Sequence, residues 1–233
     1  MFALNALLTL LAASSAAGTP LNKPSLKSHY SSTSTSTSTS ISITPHDRYS
    51  SSIGVLGCKI NVNRVAYWPM APDCDSPCVT VTAGGRSVNL LQVDQSGGAW
   101  DVSYDAWNYL YTGSSALEAP RAGGQIDAQW QRADASACAD VLNGTAGRAA
   151  IPMSAPTQNW LSACPEGSWA RANYLLYNIY DPVCRYGYDE ECAWDPSQGA
   201  NPVCPHQLGA QPVLTTAPVW NVDYPTSDMS LAL

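Results

Sequence analysis

The run from Asp94 to Trp107, DQSGGAWDVSYDAW, places three carboxylates within twelve residues. Paired carboxyl groups are the minimum equipment for cleaving a glycosidic bond with inversion: one protonates the leaving oxygen, the other activates water, and the two stand about 6.5–9.5 Å apart. Asp101 is the candidate acid, and Asp94, Asp73 or Asp75 could stand opposite it if loop geometry allowed. Each also has a plainer reading. Asp101 lies just before Ser103, a residue suited to capping a helix, where a carboxylate accepts backbone N–H bonds. Asp94 adjoins a glycine pair and suits a turn, and Asp105 suits the first turn of a helix, facing its positive end.

Other chemistries are excluded by what the chain lacks. A Ser-His-Asp arrangement would depend on His206, which follows Cys204-Pro205 in a loop-like context. No Gly-rich motif that cradles phosphate stands between a strand and a helix, and Gly84-Gly85 and Gly97-Gly98 read as turns. The nearest cysteine pair, Cys74 and Cys78, lacks the histidines of a zinc site, so no metal and no cofactor is expected. The formal charge of −7 disfavours nucleic acid and anionic lipid as partners, since both demand a basic patch.

Aromatic usage is a second lead. The single Phe is Phe2, while 8 Trp and 12 Tyr supply every other aromatic ring. Such rings combine a flat apolar face with a polar edge, suited to stacking on sugars or to filling a protein interface. Tyr67, Trp68 and Trp100, with Asp94, are the candidate ligand contacts. Trp107, Trp130, Tyr174 and Tyr177 are expected to be core.

The elements that must position these residues are short. VTVTA and RSVNLLQV, joined at Gly84-Gly85, alternate as a hairpin does. Ser103 opens a helix over YDAWNYLY that Gly113 ends, with Ala106, Trp107 and Leu110 on one face. IDAQWQRA (126–133) is expected as a strand, ASACADVL (135–142) as a short helix, and NYLLYNIY (173–180) as a buried strand.

In order along the chain, Arg64-Val65-Ala66-Tyr67-Trp68-Pro69, Asp94-Gln95 with Gly97-Gly98, the Asp101–Trp107 segment, and Gly124-Gln125-Ile126 with Trp130 together resemble the double-psi β-barrel family. That family comprises barwin, the N-terminal domain of expansins, RlpA-like proteins and inverting endoglucanases. The resemblance spans residues 58–134 and implies a mainly β fold: a six-stranded double-psi β-barrel with short helices, RVAYWP as its first strand, and a disulfide-rich C-terminal extension. It puts Asp101 at the position of the family's general acid. The endoglucanase base would follow the Tyr-Trp pair, where this chain has Pro69, which cannot carry a proton. The resemblance therefore implies a secreted barwin- or expansin-like protein that binds cell-wall polysaccharide without hydrolysing it. A protein-interaction module, either a protease inhibitor or a virulence or defence effector, is the alternative. An endoglucanase, or a lytic transglycosylase that needs one acid, is the third reading.

Four segments are expected: a signal peptide over 1–17, with an apolar core from Ala6 to Ala13 too short to span a bilayer; a Ser/Thr-rich disordered linker over 18–52; the barrel over 53–181; and a Cys/Pro-rich extension over 182–233 with a frayed end. Eight cysteines (Cys58, Cys74, Cys78, Cys138, Cys164, Cys184, Cys192, Cys204) are expected as four disulfides of open pairing in an extracellular protein. Asn143-Gly144-Thr145 is an N-glycosylation sequon. Cell-wall polysaccharide or an extracellular protein is the expected partner, and the chain is expected to act as a monomer.

Overall fold

The computed structural model describes residues 38–153, 155–194 and 201–233. The proposed signal peptide and the linker up to residue 37 lie outside the described residues. Beyond them the chain is mainly β. Strands β1 (Thr39–His46), β2 (Val65–Trp68), β3 (Cys78–Ala83), β4 (Arg86–Gln95), β5 (Trp100–Ser103) and β6 (Ile126–Ala133) close a barrel in the order β1-β5-β2-β4-β3-β6. The pairs β1/β5 and β2/β4 are parallel and the rest antiparallel. The double-psi barrel expected from the sequence is thus present, with one correction to its first strand.

That strand is β1, inside the segment assigned to a disordered linker, and RVAYWP supplies the second strand instead. In SISITPH, Ile41 and Ile43 alternate with Ser40, Ser42 and Thr44, the period that puts successive side chains on opposite faces of a sheet. Ile43 is fully buried in the barrel, while the hydroxyl side chains face outward. The polar outer face made the strand resemble the low-complexity run before it.

The β3–β4 hairpin turns at Gly84 (φ +56°) and Gly85 (φ +75°), both in the left-handed region that a two-residue turn needs. Helix α1 (Tyr104–Thr112) packs Ala106, Trp107 and Leu110 into the barrel core and ends at Gly113, φ +92°. Ser103 holds the N-cap position, but its hydroxyl accepts the Val65 N–H (3.4 Å) rather than a helix N–H, so the expected side-chain cap is not made. The loop after α1 is pinned by buried Asn108, whose amide nitrogen donates to Ser114 O (2.9 Å) and Ala119 O (3.1 Å) while its oxygen accepts Arg121 N–H (3.0 Å). Asp105, also buried, takes Arg64 Nη1 (2.5 Å), Ser115 Oγ (2.5 Å) and the Ala116 N–H (2.7 Å).

The barrel strands extend only from Thr39 to Ala133, not over 53–181. From Ala149 a second layer begins: β7 (Ala149–Pro152), α2 (Ala155–Ala163), α3 (Trp169–Ala172), β8 (Tyr174–Ile179) and β9 (Gly187–Cys192), with sheet order β7-β8-β9. The NYLLYNIY strand therefore exists but belongs to this sheet. The expected helix ASACADVL forms only a 3-10 turn, Ala135–Cys138. Two apolar clusters result. One fills the barrel, with Ile43, Ala66, Trp68, Val81, Leu90 and Val102. The other joins the outward residues Val65, Tyr67, Leu91 and Val93 of β2 and β4 to Leu142 of the connecting segment and to Ile151, Leu161 and Leu176 of the second layer. Burial of β2 on both faces explains its four consecutive buried residues.

The eight cysteines form four disulfides. Cys58–Cys184 and Cys74–Cys164 link loops beside the barrel to the second layer, Cys78–Cys138 ties β3 to the 3-10 turn after β6, and Cys192–Cys204 closes a loop beyond β9. The chain end is not frayed. Strands β10 (Trp220–Val222) and β11 (Met229–Leu231) form a hairpin against the segment that leaves β1. Asn221 Oδ1 accepts Tyr49 N–H (2.9 Å), Arg48 Nη1 donates to Ser230 Oγ (3.0 Å), and the Tyr224 ring meets Tyr104 edge-on at 5.1 Å.

Besides the Cys192–Cys204 disulfide, a polar knot ties the segment around His206 to β8 and β9. His206 Nδ1 lies 2.6 Å from Glu190 Oε2, the His206 N–H and Asn178 Nδ2 donate to Glu190 Oε1 (2.9 and 2.8 Å), and the His206 ring stacks on Tyr188 at 4.0 Å. Desolvation pushes the Glu190 carboxyl up, but the bonds from His206 and Asn178 outweigh it and leave the carboxyl below its ordinary range. A lowered folded-state pKa means that the stabilisation is complete above the unfolded carboxylate range and is lost as pH falls through the folded value. Glu190→Gln is expected to lower the melting temperature at neutral pH, with the gap from wild type closing in acid; thermal melts of both proteins across pH check this, and a gap independent of pH would contradict it.

Candidate functional site

Strand register aligns the sequence's candidate carboxylates on one face. Tyr67 of β2 pairs with Asp101 of β5 on one side and with Asp94 of β4 on the other, after a register shift at Ala66/Tyr67, and Asp101 pairs in turn with Thr44 of β1. Thr44, Asp101, Tyr67 and Asp94 thus form one row across four strands. With neighbouring strands about 4.8 Å apart, the backbones of Asp94 and Asp101 lie about 10 Å from each other.

The two carboxylates differ in freedom. Asp94 has both oxygens engaged: Oδ2 accepts Ser50 Oγ (2.6 Å), and Oδ1 accepts the N–H groups of Ser52 (3.1 Å) and Gln95 (2.8 Å). Those bonds fasten the segment after β1 to the end of β4, a longer-range role than the local turn expected from the adjoining glycine pair. Asp101 is half-buried, and its Oδ1 accepts the Thr44 hydroxyl. Between them Tyr67 is buried under the His46 ring, 4.4 Å away. Desolvation drives its hydroxyl pKa far upward, the Ser50 N–H draws it partly back, and the negative charges of Asp94 and Asp101 add to the rise, so Tyr67 keeps its proton. Asp73 Oδ1 accepts Asp75 N–H (2.9 Å) and Ser76 N–H (2.8 Å), while Asp75 Oδ1 accepts Trp169 N–H (3.2 Å). Both carboxylates are committed to the turn before β3 and to the start of α3.

Of the proposed aromatic contacts, Trp68 and Trp100 do not share this face, and Tyr67, which does, is buried. Trp100 and Asp101 are adjacent on a strand and therefore point to opposite sides of the sheet. Trp100 turns into the barrel, where it meets Trp68 at 5.0 Å and Trp130 at 5.7 Å, and Trp68 meets Trp130 at 4.7 Å. Trp68 is fully buried, and Trp100 and Trp130 are half-buried. Trp68 and Tyr67, both proposed as ligand contacts, are core residues in this fold. Trp107 is core as expected, while Tyr174 and Tyr177 are half-buried.

Residues absent from the candidate set complete the face. Along β1 the outward positions before Thr44 are Ser42 and Ser40, which pair with Asp127 and Gln129 of β6, and Gln129 pairs onward with Thr82 of β3. Ser42 Oγ donates to Asp127 Oδ1 (3.2 Å), Ser38 Oγ to Gln129 Oε1 (3.1 Å), and the Thr82 and Ser87 hydroxyls are 2.7 Å apart. Around Ser40, Thr82, Asp127, Gln129 and the Gly84-Gly85 turn the surface forms a trough of about 550 Å³. A continuous strip of hydroxyls, the Gln129 amide and two carboxylates therefore runs from Asp101 to Thr82. The Ile41/Ile43 alternation is the signal that would have revealed its β1 part.

Asn143 is exposed at the start of a 3-10 turn, Asn143–Thr145. The Thr145 hydroxyl is turned inward and donates to Leu142 O (3.0 Å) and Arg148 O.

No family model matches the chain, and neither does any curated protein. Among solved structures the chain is similar to cerato-platanin 2 and cerato-platanin 3 from M. perniciosa, at 21% and 18% identity with TM-scores of 0.32 and 0.33; each match covers 43% of this chain and 98% of the other. It is also similar to the solution structure of the fungal elicitor cerato-platanin, at 24% identity and TM-score 0.32, over 45% of this chain and 98% of that one. More than half of this chain has no counterpart in those matches, and the barrel assignment rests on its own strand order and register.

Proposed function

We propose that this is an extracellular protein that holds cell-wall polysaccharide along the outer strip from Asp101 to Thr82 and does not cleave it. The carrying observation is the strip itself, a run of hydroxyl and amide side chains with two carboxylates, set on strands beside a trough. Sugar polymers offer dense, uncharged donors and acceptors. Such partners are matched by hydroxyls and amides, which lose little on desolvation compared with charges. Asp101 serves at one end of the strip as a hydrogen-bond acceptor. Pro69 occupies the position where the resemblance places the base, and Asp94 has both oxygens engaged by Ser50, Ser52 and Gln95. The four disulfides fit an oxidising, extracellular setting, and Asn143 is proposed to carry an N-glycan, which enzymatic deglycosylation would reveal as a loss of mass.

The test is retention on insoluble chitin, cellulose and β-glucan at low and high salt, with reducing sugar assayed in parallel. Retention on at least one polymer without sugar release is expected. Combining Gln129→Ala with Thr82→Ala removes two neutral hydrogen bonds of about 0.5–1.5 kcal/mol each, so binding is expected to weaken about tenfold. Absence of retention on all three would overturn the proposal, and sugar release abolished by Asp101→Ala would replace it with an enzyme.

A further inference from the structure

Away from the strip, a cavity of about 410 Å³ opens between the segment after β8 and the C-terminal hairpin. Val183, Leu214, Pro218, Val219 and Ala232 are among its walls. Ten large apolar side chains are strongly exposed among the described residues, and four of them, Tyr186 (36%), Val213 (70%), Trp220 (46%) and Leu231 (44%), line this one cavity. Scattered exposure needs no explanation, but exposure gathered around a concave site marks a place where apolar matter is received.

The lining contains one cation, Arg185. Its Nε is buried with no hydrogen-bond partner, and its carboxylate neighbour Asp181 stands 3.7 Å off, at Oδ1, which already accepts the N–H groups of Val183 (3.1 Å) and Arg185 (3.3 Å). The guanidinium otherwise rests over the Tyr186 ring at 5.6 Å. With Nε buried beside Asp181, the exposed part of the guanidinium, whose side chain is 41% exposed, stands at an apolar chamber and is complementary to a carboxylate that carries a hydrocarbon tail.

We propose that this cavity binds a medium- or long-chain carboxylic acid, with the carboxylate on Arg185 and the tail against Val219, Leu214 and Leu231. The apolar walls exclude water from the tail, and the guanidinium supplies the charge that a partly desolvated carboxylate requires.

The experiment is calorimetric titration of the full chain with decanoate, decanol and decyltrimethylammonium, each below its micelle concentration. Decanoate is expected to bind, and decanol to bind about tenfold or more weakly, since a hydrogen bond to a charged group contributes about 1.5–3 kcal/mol. Arg185→Gln is expected to bring decanoate down to the affinity of decanol and to leave decanol unchanged. Leu231→Glu, a change at an exposed rim position, is expected to weaken both by about tenfold or more through charge placed beside the tail, with the circular dichroism spectrum unaltered. No binding by decanoate, equal binding of the ammonium compound, or decanoate binding indifferent to both substitutions would each overturn the proposal. So would a dimer in sedimentation that Leu231→Glu dissociates, because a second copy would then cover the cavity mouth.

Discussion

Replacing Asp105 by alanine is expected to cost the fold about 3–5 kcal/mol, the range for breaking a buried ion pair from one side. The carboxylate is 5% exposed and is the acceptor for three donors from separate places: the Arg64 guanidinium ahead of β2, the Ser115 hydroxyl and the Ala116 N–H beyond α1. Removing it leaves the Arg64 charge, itself only 28% exposed, without a counterion, and releases the loop that caps the barrel end. Chemical denaturation with the disulfides intact measures the loss. A cost below about 1 kcal/mol, the value of an exposed pair, would show that solvent replaces the carboxylate freely.

Trp68→Ala is expected to be comparably severe, at about 3–5 kcal/mol, because a fully buried indole leaves a cavity that its neighbours cannot close. Trp68 sits at the centre of the three-indole cluster with Trp100 and Trp130. Denaturant midpoints give the stability change, and the milder Trp68→Phe separates it from function. As a core residue facing away from the outer strip, Trp68 replaced by phenylalanine is expected to leave polysaccharide retention at the wild-type level. A specific loss of retention in a well-folded Trp68→Phe protein would return this residue to the binding site.

How much of this was legible depended on whether the physics was local. The hairpin turn at Gly84-Gly85, the helix ending at Gly113 and the inward stripe of Ala106, Trp107 and Leu110 follow from conformational freedom and periodicity within a few residues, and they were readable. Tyr67, Asp94 and Asp101 were singled out one by one, as candidate contacts and a candidate acid, but that strand register sets them side by side was not legible from their spacing. The faces were not legible, since alternation along β5 sends Trp100 inward and Asp101 outward only once β5 is known to be a strand. Asp105 looked like a helix-start residue, and it is one; its partner Arg64 lies 41 positions earlier and could not be inferred from local spacing. β1 was hidden by composition. Serine and threonine on its outer face continued the polar texture of the preceding tract, and only two isoleucines recorded the buried side.

The β10–β11 hairpin has a consequence for how the molecule is made. Its Asn221 and Ser230 hold Tyr49 and Arg48, which directly follow the strand that closes the barrel, and its Tyr224 covers Tyr104. Synthesis proceeds from the other end, so a ribosome must deliver the chain through β11, about 185 residues after β1, before that strand can be secured. A nascent chain halted near residue 215 would leave those tyrosines uncovered and be a natural client for holdase chaperones and quality-control proteases.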